Sequence, residues 1–283
     1  LLNELYKRGL EIEAFTPKPY SAQSFPIRSP KEFKPSGRTL FQVGNSEYHN
    51  FLYPYLFKNP DILVLHDLAI HHSRLRSYLH SEDVTSYRND LGNSNKRSRA
   101  QVRLSEYREE VVEAYPTNGA AIAEIALHAG GGRLLYDYPL YEHLVRKSSL
   151  TLVHNTTAKL EITERCPKAR VRRIRMGIPM PKQALSREEA CKSLGISSEG
   201  YILASFGLVT PEKRIGMVLQ ALTRLRAQGI NVRYLVVGAT VEHYDAQAEA
   251  ISLGVENAVQ FTGRVSADHF WRYACAADIC LNL

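Results

Sequence analysis

Short apolar runs alternate with longer stretches of helix-like spacing along most of the chain. The apolar runs predict strands at residues 10–15, 39–43, 62–66, 150–153, 171–175, 201–206, 232–237, 258–261 and 278–283. The periodic stretches predict helices at residues 47–57, 156–165, 212–228, 242–253 and 267–276. Strands that alternate with helices favour parallel sheets covered on both faces, so we predict an α/β fold.

Two such alternations follow one another, and a segment rich in glycine and proline separates them. Residues 176–181 (MGIPMP) follow a predicted strand and have the composition of a linker in which a helix cannot continue. With 283 residues, the chain is long enough for two hydrophobic cores. We therefore predict two Rossmann-like, doubly wound domains, one at residues 1–176 and one at residues 177–283.

Both ends of the sequence fall inside predicted elements. Residues 1–9 have the pattern of the last turns of a helix that ends in glycine. Residues 278–283 predict a strand with no helix after it, although a parallel strand needs a crossover helix to cover it. We expect both termini to be cut ends of longer domains.

Composition and charge narrow the class of protein only slightly. Lys and Arg number 36 and Asp and Glu 29, and the resulting net charge of +7 suits an anionic ligand, a membrane surface or a nucleic acid equally. The four cysteines show no spacing typical of a zinc site, which predicts reduced thiols in a cytoplasmic protein. No apolar run approaches the roughly 18 residues that a membrane span needs.

One basic run has two interpretations. Residues 96–108 (KRSRAQVRLSEYR) interleave cations with Val102, Leu104 and Tyr107. Such a run either contacts an anionic membrane from the side or forms the solvated face of a helix. We favour the solvated face, and peripheral membrane contact of a cytoplasmic protein is the alternative.

The richest chemical signal is the stretch at residues 201–215, YILASFGLVTPEKRI. An apolar strand and a glycine turn precede Thr210 and Pro211, which suit the N-cap and first position of a helix. Lys213 and Arg214 then fall in the first turn, where the helix dipole disfavours each cation by about 0.3–1 kcal/mol unless an anion is bound. Free amides and two cations predict a phosphate or diphosphate site, and solvent-facing side chains of an ordinary helix are the alternative.

Two further strands of the second half also end in glycine, at residues 235–238 (LVVG) and 259–265 (VQFTGRV). These motifs together resemble the retaining glycosyltransferases of family 4, also called group 1, which have two Rossmann-like domains in the GT-B arrangement facing an interdomain cleft. The family pattern is an F-G turn with a Lys six residues after the glycine, a V-V-G turn, an F-x-G-x-V turn and an A-A-D strand. The corresponding residues here are Phe206-Gly207 with Lys213, Val236-Val237-Gly238, Phe261-Thr262-Gly263-Arg264-Val265 and Ala276-Ala277-Asp278.

The resemblance implies a donor site in the second domain. It places the donor diphosphate at the Gly207 turn and Lys213, and the nucleobase beside the backbone of Arg264 and Val265. The family commonly has an Arg directly after the F-G glycine, whereas this chain has Leu208, so we expect another group, such as Arg214, to supply that contact. The complete set of predicted donor-binding residues is Gly207, Thr210, Lys213, Arg214, Gly238, Arg264 and Val265.

In the first domain, residues 62–67 (ILVLHD) resemble the family strand that ends in a histidine at the cleft. His66 would stand at the carboxyl end of a parallel strand, where ligands bind in open α/β sheets. We predict His66 and Asp67 as catalytic residues: a neutral or shared imidazole contacts the acceptor hydroxyl or the transferred sugar, and Asp67 accepts its second N–H. A structural histidine is the alternative.

Two absences shape the remaining expectations. No D-x-D pair occurs, and His71 and His72 are adjacent and so cannot both face one site on a helix. We therefore expect no obligatory metal. We also expect no obligatory cofactor, because the nucleotide-diphosphate sugar is a substrate. The family's pair of Glu residues spaced E-x-x-x-x-x-x-x-E normally follows the strand at which this sequence stops. No two glutamates have that spacing here, so we expect an incomplete donor site and a fragment that is inactive as it stands.

These observations predict a hexosyltransferase of glycan or polysaccharide biosynthesis. It would move a sugar from a nucleotide-diphosphate donor to a hydroxyl of a glycan, a lipid-linked or another acceptor, with retention of configuration and without nucleic acid as a partner. The alternatives are a sugar-nucleotide epimerase of the same fold, a noncatalytic binder of anionic polymers and a homologue that has lost activity.

Overall fold

The computed structural model describes residues 2–17, 25–177, 181 and 184–282. Within these residues, the protein contains two four-stranded parallel sheets covered by helices and one two-stranded parallel ribbon. The chain divides into one unit at residues 1–177 and a second at 178–283. This division lies one residue from the predicted domain boundary. Residues 178–180 of the predicted linker, Leu1 of the predicted first helix and Leu283 of the predicted last strand lie outside the described residues.

The first unit contains a four-stranded parallel sheet in the order β3-β4-β5-β6 and a two-stranded parallel ribbon. The strands are β1 (Ala14–Phe15), β2 (Ile27–Arg28), β3 (Leu40–Val43), β4 (Ile62–Leu65), β5 (Leu150–Val153) and β6 (Val171–Arg173). The strands predicted at 39–43, 62–66, 150–153 and 171–175 are confirmed. The strand predicted at 10–15 is only β1, because Leu10 is exposed to solvent and gains no burial from extended pairing. Its partner β2 was not predicted.

Helices surround this sheet and fill the long segment between β4 and β5. They are α1 (Leu2–Lys7), α2 (Tyr53–Lys58), α3 (His71–Leu79), α4 (Glu82–Arg88), α5 (Ser94–Ala114), α6 (Gly119–Ala129), α7 (Leu134–Asp137), α8 (Glu142–Lys147) and α9 (Thr156–Arg165). Short 3₁₀ turns occur at Pro30–Glu32 and Glu47–Leu52. The side chains of β3, β4 and β5 share one hydrophobic core with α3, α5, α6 and α8.

The basic run predicted at residues 96–108 lies within α5. Tyr107 is fully buried in the core, whereas Val102 is exposed. Three cations of the run pair with carboxylates, Lys96 with Asp90, Arg103 with Glu106 and Arg108 with Glu124. These contacts are typical of a solvated helix packed on its own domain. Among the described residues, no helix combines the length and the apolarity that crossing a bilayer requires.

A buried ion pair joins two helices of this segment. The Arg74 guanidinium of α3 donates to both carboxylate oxygens of Glu110 on α5, at 2.6 and 2.9 Å, and both side chains are buried. The Arg74 guanidinium carbon also lies 3.8 Å from the ring centroid of Tyr53. Burial alone would raise the pKa of Glu110, but Arg74 and His143 outweigh it and hold that pKa below its ordinary value. The pair therefore remains charged at neutral pH.

The second unit contains β7 (Tyr201–Phe206), β8 (Val232–Val237), β9 (Val259–Gly263) and β10 (Ile279–Leu281) in the parallel order β10-β7-β8-β9. Its helices are α10 (Arg187–Leu194), α11 (Ile215–Ala227), α12 (Ala246–Ser252) and α13 (Ala267–Ala276). Short 3₁₀ turns occur at Pro211–Lys213 and Glu256–Ala258. Within this unit the spatial order of the strands is third, second, first, fourth, as in a doubly wound nucleotide-binding half.

Both faces of this second sheet are buried, which explains its continuous apolar strands. Tyr234 and Val236 of β8 belong to one core with α11 and α12, and the intervening Leu235 and Val237 belong to another core with α10 and α13. One face of α11 is apolar, with Ile215, Val218, Leu219 and Leu222 buried and Leu225 packed beside them. Gly229 follows that helix with a φ of 80°, a conformation common where a helix ends.

Replacing Glu110 by Gln should lower the free energy of unfolding of the first unit by about 3–5 kcal/mol, because it leaves the Arg74 guanidinium buried without a counter-charge. Urea titration followed by hydrogen exchange of α3 and α5 peptides measures this unit separately. The matched control is Glu106→Gln, which removes the exposed partner of Arg103 and should cost no more than about 1 kcal/mol. Equal losses in the two variants would contradict the importance assigned to the buried pair.

Candidate functional site

Three glycines lie side by side at the carboxyl edge of the second sheet. Gly207 follows β7, Gly238 follows β8 and Gly263 ends β9. The Gly207 N–H donates to the Val237 carbonyl at 3.0 Å, and Gly238 forms a bridge with Gly263. A Cβ on Gly238 would lie 1.7 Å from the Gly207 carbonyl oxygen. Only glycine permits this approach, so the sheet edge here consists of bare backbone.

The Gly207 turn occupies a particular point in the strand order. β7 is the first strand of this unit, and it lies between β8, the second strand, and β10, the fourth strand. Ligands of open α/β sheets bind outside the carboxyl ends of strands at such a reversal of order. A small depression at this point is lined by Ser205, Gly207, Lys213 and Leu281 among others.

Lys213 extends along the Gly207 turn. Its Cε lies 4.0 Å from the position that a Cβ on Gly207 would occupy. Its side chain is half-buried and has no carboxylate within ion-pair distance among the described residues. A half-buried ammonium group beside a turn that carries no side chain is suited to an anion.

The predicted start of helix α11 at residue 212 is wrong. Residues Pro211–Lys213 form a separate 3₁₀ turn, in which the Lys213 and Arg214 N–H groups donate to the Thr210 and Pro211 carbonyls. Arg214 then adopts left-handed backbone angles, with φ at 51°, and α11 begins only at Ile215. Lys213 and Arg214 therefore precede the helix instead of lying in its first turn. The Thr210 side chain does not cap the turn, and it contacts Glu212, whose pKa is lowered by that hydrogen bond.

The first turn of α11 is also less open than predicted. The Gly216 N–H donates to the Tyr244 hydroxyl at 3.2 Å, and that hydroxyl donates to Glu249. A Cβ on Gly216 would lie 2.3 Å from a Glu249 oxygen, so α11 and Glu249 are in close contact there. A neighbouring tyrosine thus takes one of the amides that the sequence assigns to an anion. The candidate anion site therefore consists of the Gly207 turn and Lys213, and not of the start of the helix.

The other predicted donor residues lie beyond β9. Arg264 is exposed, and no ion pair involves it within the described part of the chain. The Val265 side chain packs against the core under α10 and α13. Val265 therefore has only its backbone available to a ligand, in agreement with the expectation that backbone borders the base at this position.

In the first unit, two histidines meet at the carboxyl edge of the sheet. His66 follows β4 and His154 follows the adjacent strand β5. The His154 Nε2 and His66 Nδ1 atoms are 2.9 Å apart, and His66 Nε2 lies 2.9 Å from Oε1 of Gln42 on β3. A pocket of about 250 Å³ beside them is lined by Asp67, Asn155 and Thr157 as well as both histidines. Burial, then His154 and His49, lower the pKa of His66, and Asp67 opposes them. The imidazole is therefore neutral at neutral pH.

The predicted bond between His66 and Asp67 does not form, because Gln42 and His154 occupy both ring nitrogens of His66. Asp67 instead accepts the Asn45 N–H at 2.9 Å, which ties the turn after β3 to the turn after β4. Sequence reasoning missed Gln42 and His154. The signal for His154 was available, since it directly follows a predicted strand just as His66 does. Among the residues that the structure describes, no three His, Cys, Asp or Glu side chains are grouped so as to hold a metal.

A comparison with protein families matches residues 186–281 to the model described as "Glycosyl transferases group 1". The chain resembles a group 1 glycosyltransferase. The match covers most of the second unit and includes the Gly207, Gly238 and Gly263 turns. None of the curated proteins compared with the chain matches it.

Solved structures resemble the chain in fold. WaaG, a glycosyltransferase involved in lipopolysaccharide biosynthesis, is 14% identical with a TM-score of 0.50 over 99% of this chain and 68% of WaaG. Sucrose-phosphate synthase (tll1590) from Thermosynechococcus elongatus is 13% identical with a TM-score of 0.49 over 86% of this chain and 49% of that one. Anabaena Alr3699/HepE in complex with UDP and glucose is 15% identical with a TM-score of 0.44 over 85% and 52%.

At 14% identity, the likeness to WaaG shows the fold alone. The chain spans about half the length of sucrose-phosphate synthase and of HepE. The fold class is α/β of the GT-B type with Rossmann-like parallel sheets, as predicted.

Replacing Gly238 by Ala should destabilise the second unit by about 1–3 kcal/mol, because the new Cβ overlaps the Gly207 carbonyl and forces the two turns apart. Fluorescence of Trp271, the single tryptophan of the chain, measures unfolding of this unit in urea. Gly254→Ala is the control, since Gly254 has a left-handed φ of 65° but no atom near its Cβ position. Its cost should be about 1 kcal/mol. A smaller loss for Gly238→Ala than for the control would exclude the overlap as the cause.

Proposed function

We propose that this chain belongs to an enzyme that transfers a sugar from a nucleotide-diphosphate sugar to a hydroxyl acceptor, and that its second unit binds the donor diphosphate. The observation that supports this proposal most directly is the half-buried Lys213 beside the glycine turn at the strand-order reversal. An ammonium group beside a turn without side chains suits a diphosphate, whose charge increases as the sugar bond breaks. The group 1 match over this unit and the UDP that HepE binds support the same assignment.

Arg214 and Arg264, two of the predicted donor-binding residues, keep a role in the proposal. Arg214 is exposed directly after Lys213, and its left-handed backbone turns it away from the path of α11. We place it as a second cation for the diphosphate, which would offset the Leu208 that stands where the family has Arg. The Arg264 backbone borders the base in this proposal.

The first unit supplies the acceptor side of the proposed reaction. His66 and Asp67 line a pocket of about 250 Å³ at a sheet edge, a size that suits part of a sugar or acceptor. The imidazole is neutral, so it can accept a hydroxyl proton only when one of its present partners moves.

The finer parts of the proposal rest on the resemblance. They are transfer of a hexose with retention of configuration, a role in glycan biosynthesis, no obligatory metal and inactivity of this chain by itself. Location in the cytoplasm is supported by the four cysteines, none of which is paired in the described structure.

An α-linked donor that yields an α-linked product, measured by the anomeric proton coupling, would support retention. Free epimerised nucleotide sugar formed without acceptor would favour the epimerase alternative.

Replacing Lys213 by Ala should weaken binding of a nucleoside diphosphate such as UDP by about tenfold to 100-fold, because it removes a charge-assisted hydrogen bond to a phosphate oxygen. Isothermal titration calorimetry measures the dissociation constant, and Trp271 fluorescence shows whether the unit remains folded.

The matched control is Arg224→Ala, which removes an exposed cation from the same unit but at the far end of α11. Its dissociation constant should stay within twofold of that of the unchanged chain. Equal affinities for the Lys213 variant and the control would remove Lys213 from the site. Strong salt-dependent binding of RNA without competition by UDP would favour the anionic-polymer alternative.

A further inference from the structure

The contact between His66 and His154 determines which ring nitrogens carry a hydrogen. Their facing nitrogens are 2.9 Å apart, and the ring centroids are 4.9 Å apart with an interplanar angle of 32°. Such a contact needs one hydrogen between the two nitrogens, because two lone pairs or two N–H groups would repel each other. One ring therefore donates and the other accepts.

The surrounding groups decide which ring donates. Gln42 Oε1 can only accept, so His66 Nε2 carries a hydrogen and His66 Nδ1, in the neutral ring, does not. His154 Nε2 must then donate to His66 Nδ1, which leaves His154 Nδ1 without a hydrogen. That atom is buried and has no hydrogen-bond partner. A buried acceptor without a partner is less costly than a buried N–H without one, so the two observations agree.

We infer that His154 is a positioning residue, which holds the ring plane of His66 and opposes its protonation by donating to its Nδ1, within a relay from His154 through His66 to Gln42. The inference deepens the proposed acceptor side and rests on that proposed function for its catalytic meaning. The relay itself is a property of the ligand-free chain.

The relay makes the protonation of His66 depend on its contact with His154. Protonation of His66 must occur at Nδ1, the atom that already accepts from His154, so the bond must break or its hydrogen must be shared. The other titratable groups that face His66 are His49, whose ring centroid is 6.4 Å away, and Asp67. His49 disfavours a charge on His66 and Asp67 favours it, and burial lowers the pKa of His66 further.

The test is the tautomer and titration of His66 in the ligand-free chain, measured by long-range ¹H–¹⁵N correlation NMR. We expect a His66 ring with hydrogen on Nε2 only. In His154→Leu, loss of the donor should raise the pKa of His66, because Nδ1 is then free to accept a proton while Gln42 still keeps the hydrogen on Nε2. His154→Gln retains an N–H donor and should restore part of the original pKa.

A second variant tests the relay at its other end, where substitution is tolerated because Gln42 is exposed. Gln42→Glu should raise the pKa of His66, since a carboxylate stabilises the imidazolium, and should also shift the His154 ¹⁵N signals through the shared bond. Unchanged His154 signals in Gln42→Glu, or a His66 pKa that is the same in His154→Leu and the unchanged chain, would overturn the inference. These readouts do not require transferase activity, so failure of the proposed function and failure of the relay are separate results.

Discussion

The constraint on which the second unit depends is the contact between two backbones at the ends of β7 and β8. Gly238 lies so close to the Gly207 carbonyl that no side chain fits between them. This contact lets the strand ends meet as bare peptide groups at the point where the strand order reverses. Gly207 itself has a φ of 109°, which favours glycine, and Lys213 lies beside this turn. The shape of the candidate anion site therefore follows from glycine at both positions.

Much of this arrangement was predictable, because parallel sheets leave strong local patterns. Strands buried on both faces read as continuous apolar runs, and β5, β7 and β8 begin and end where the pattern predicts. Glycine directly after such a run indicates a turn that a ligand or another backbone approaches closely. The sequence could thus place Gly207, Gly238 and Gly263 at one edge before any coordinates were known.

The start of α11 shows where local patterns fail. Thr210 and Pro211 suit the first positions of an α-helix and of a 3₁₀ turn equally well, since proline lacks only an N–H that is unpaired in both. The break comes from the left-handed backbone of Arg214, and arginine gives no signal for it, unlike glycine. The bond from Gly216 to Tyr244 depends on packing between α11 and the segment before α12, which no spacing rule reports. For the same reason the Arg74–Glu110 pair, which joins residues 36 positions apart, was not predicted.

The two sheet edges present opposite chemistry. In the second unit, backbone turns and one lysine form the candidate site. In the first unit, the edge carries His66, whose pKa is lowered by burial and by His154 and His49. A terminal phosphate has its second pKa at about 6, so the nucleotide titrates in the same mildly acidic range as a histidine. A comparison of pH profiles therefore needs the Gln42→Glu variant, because that change moves the titration of His66 and leaves the titration of the nucleotide unchanged.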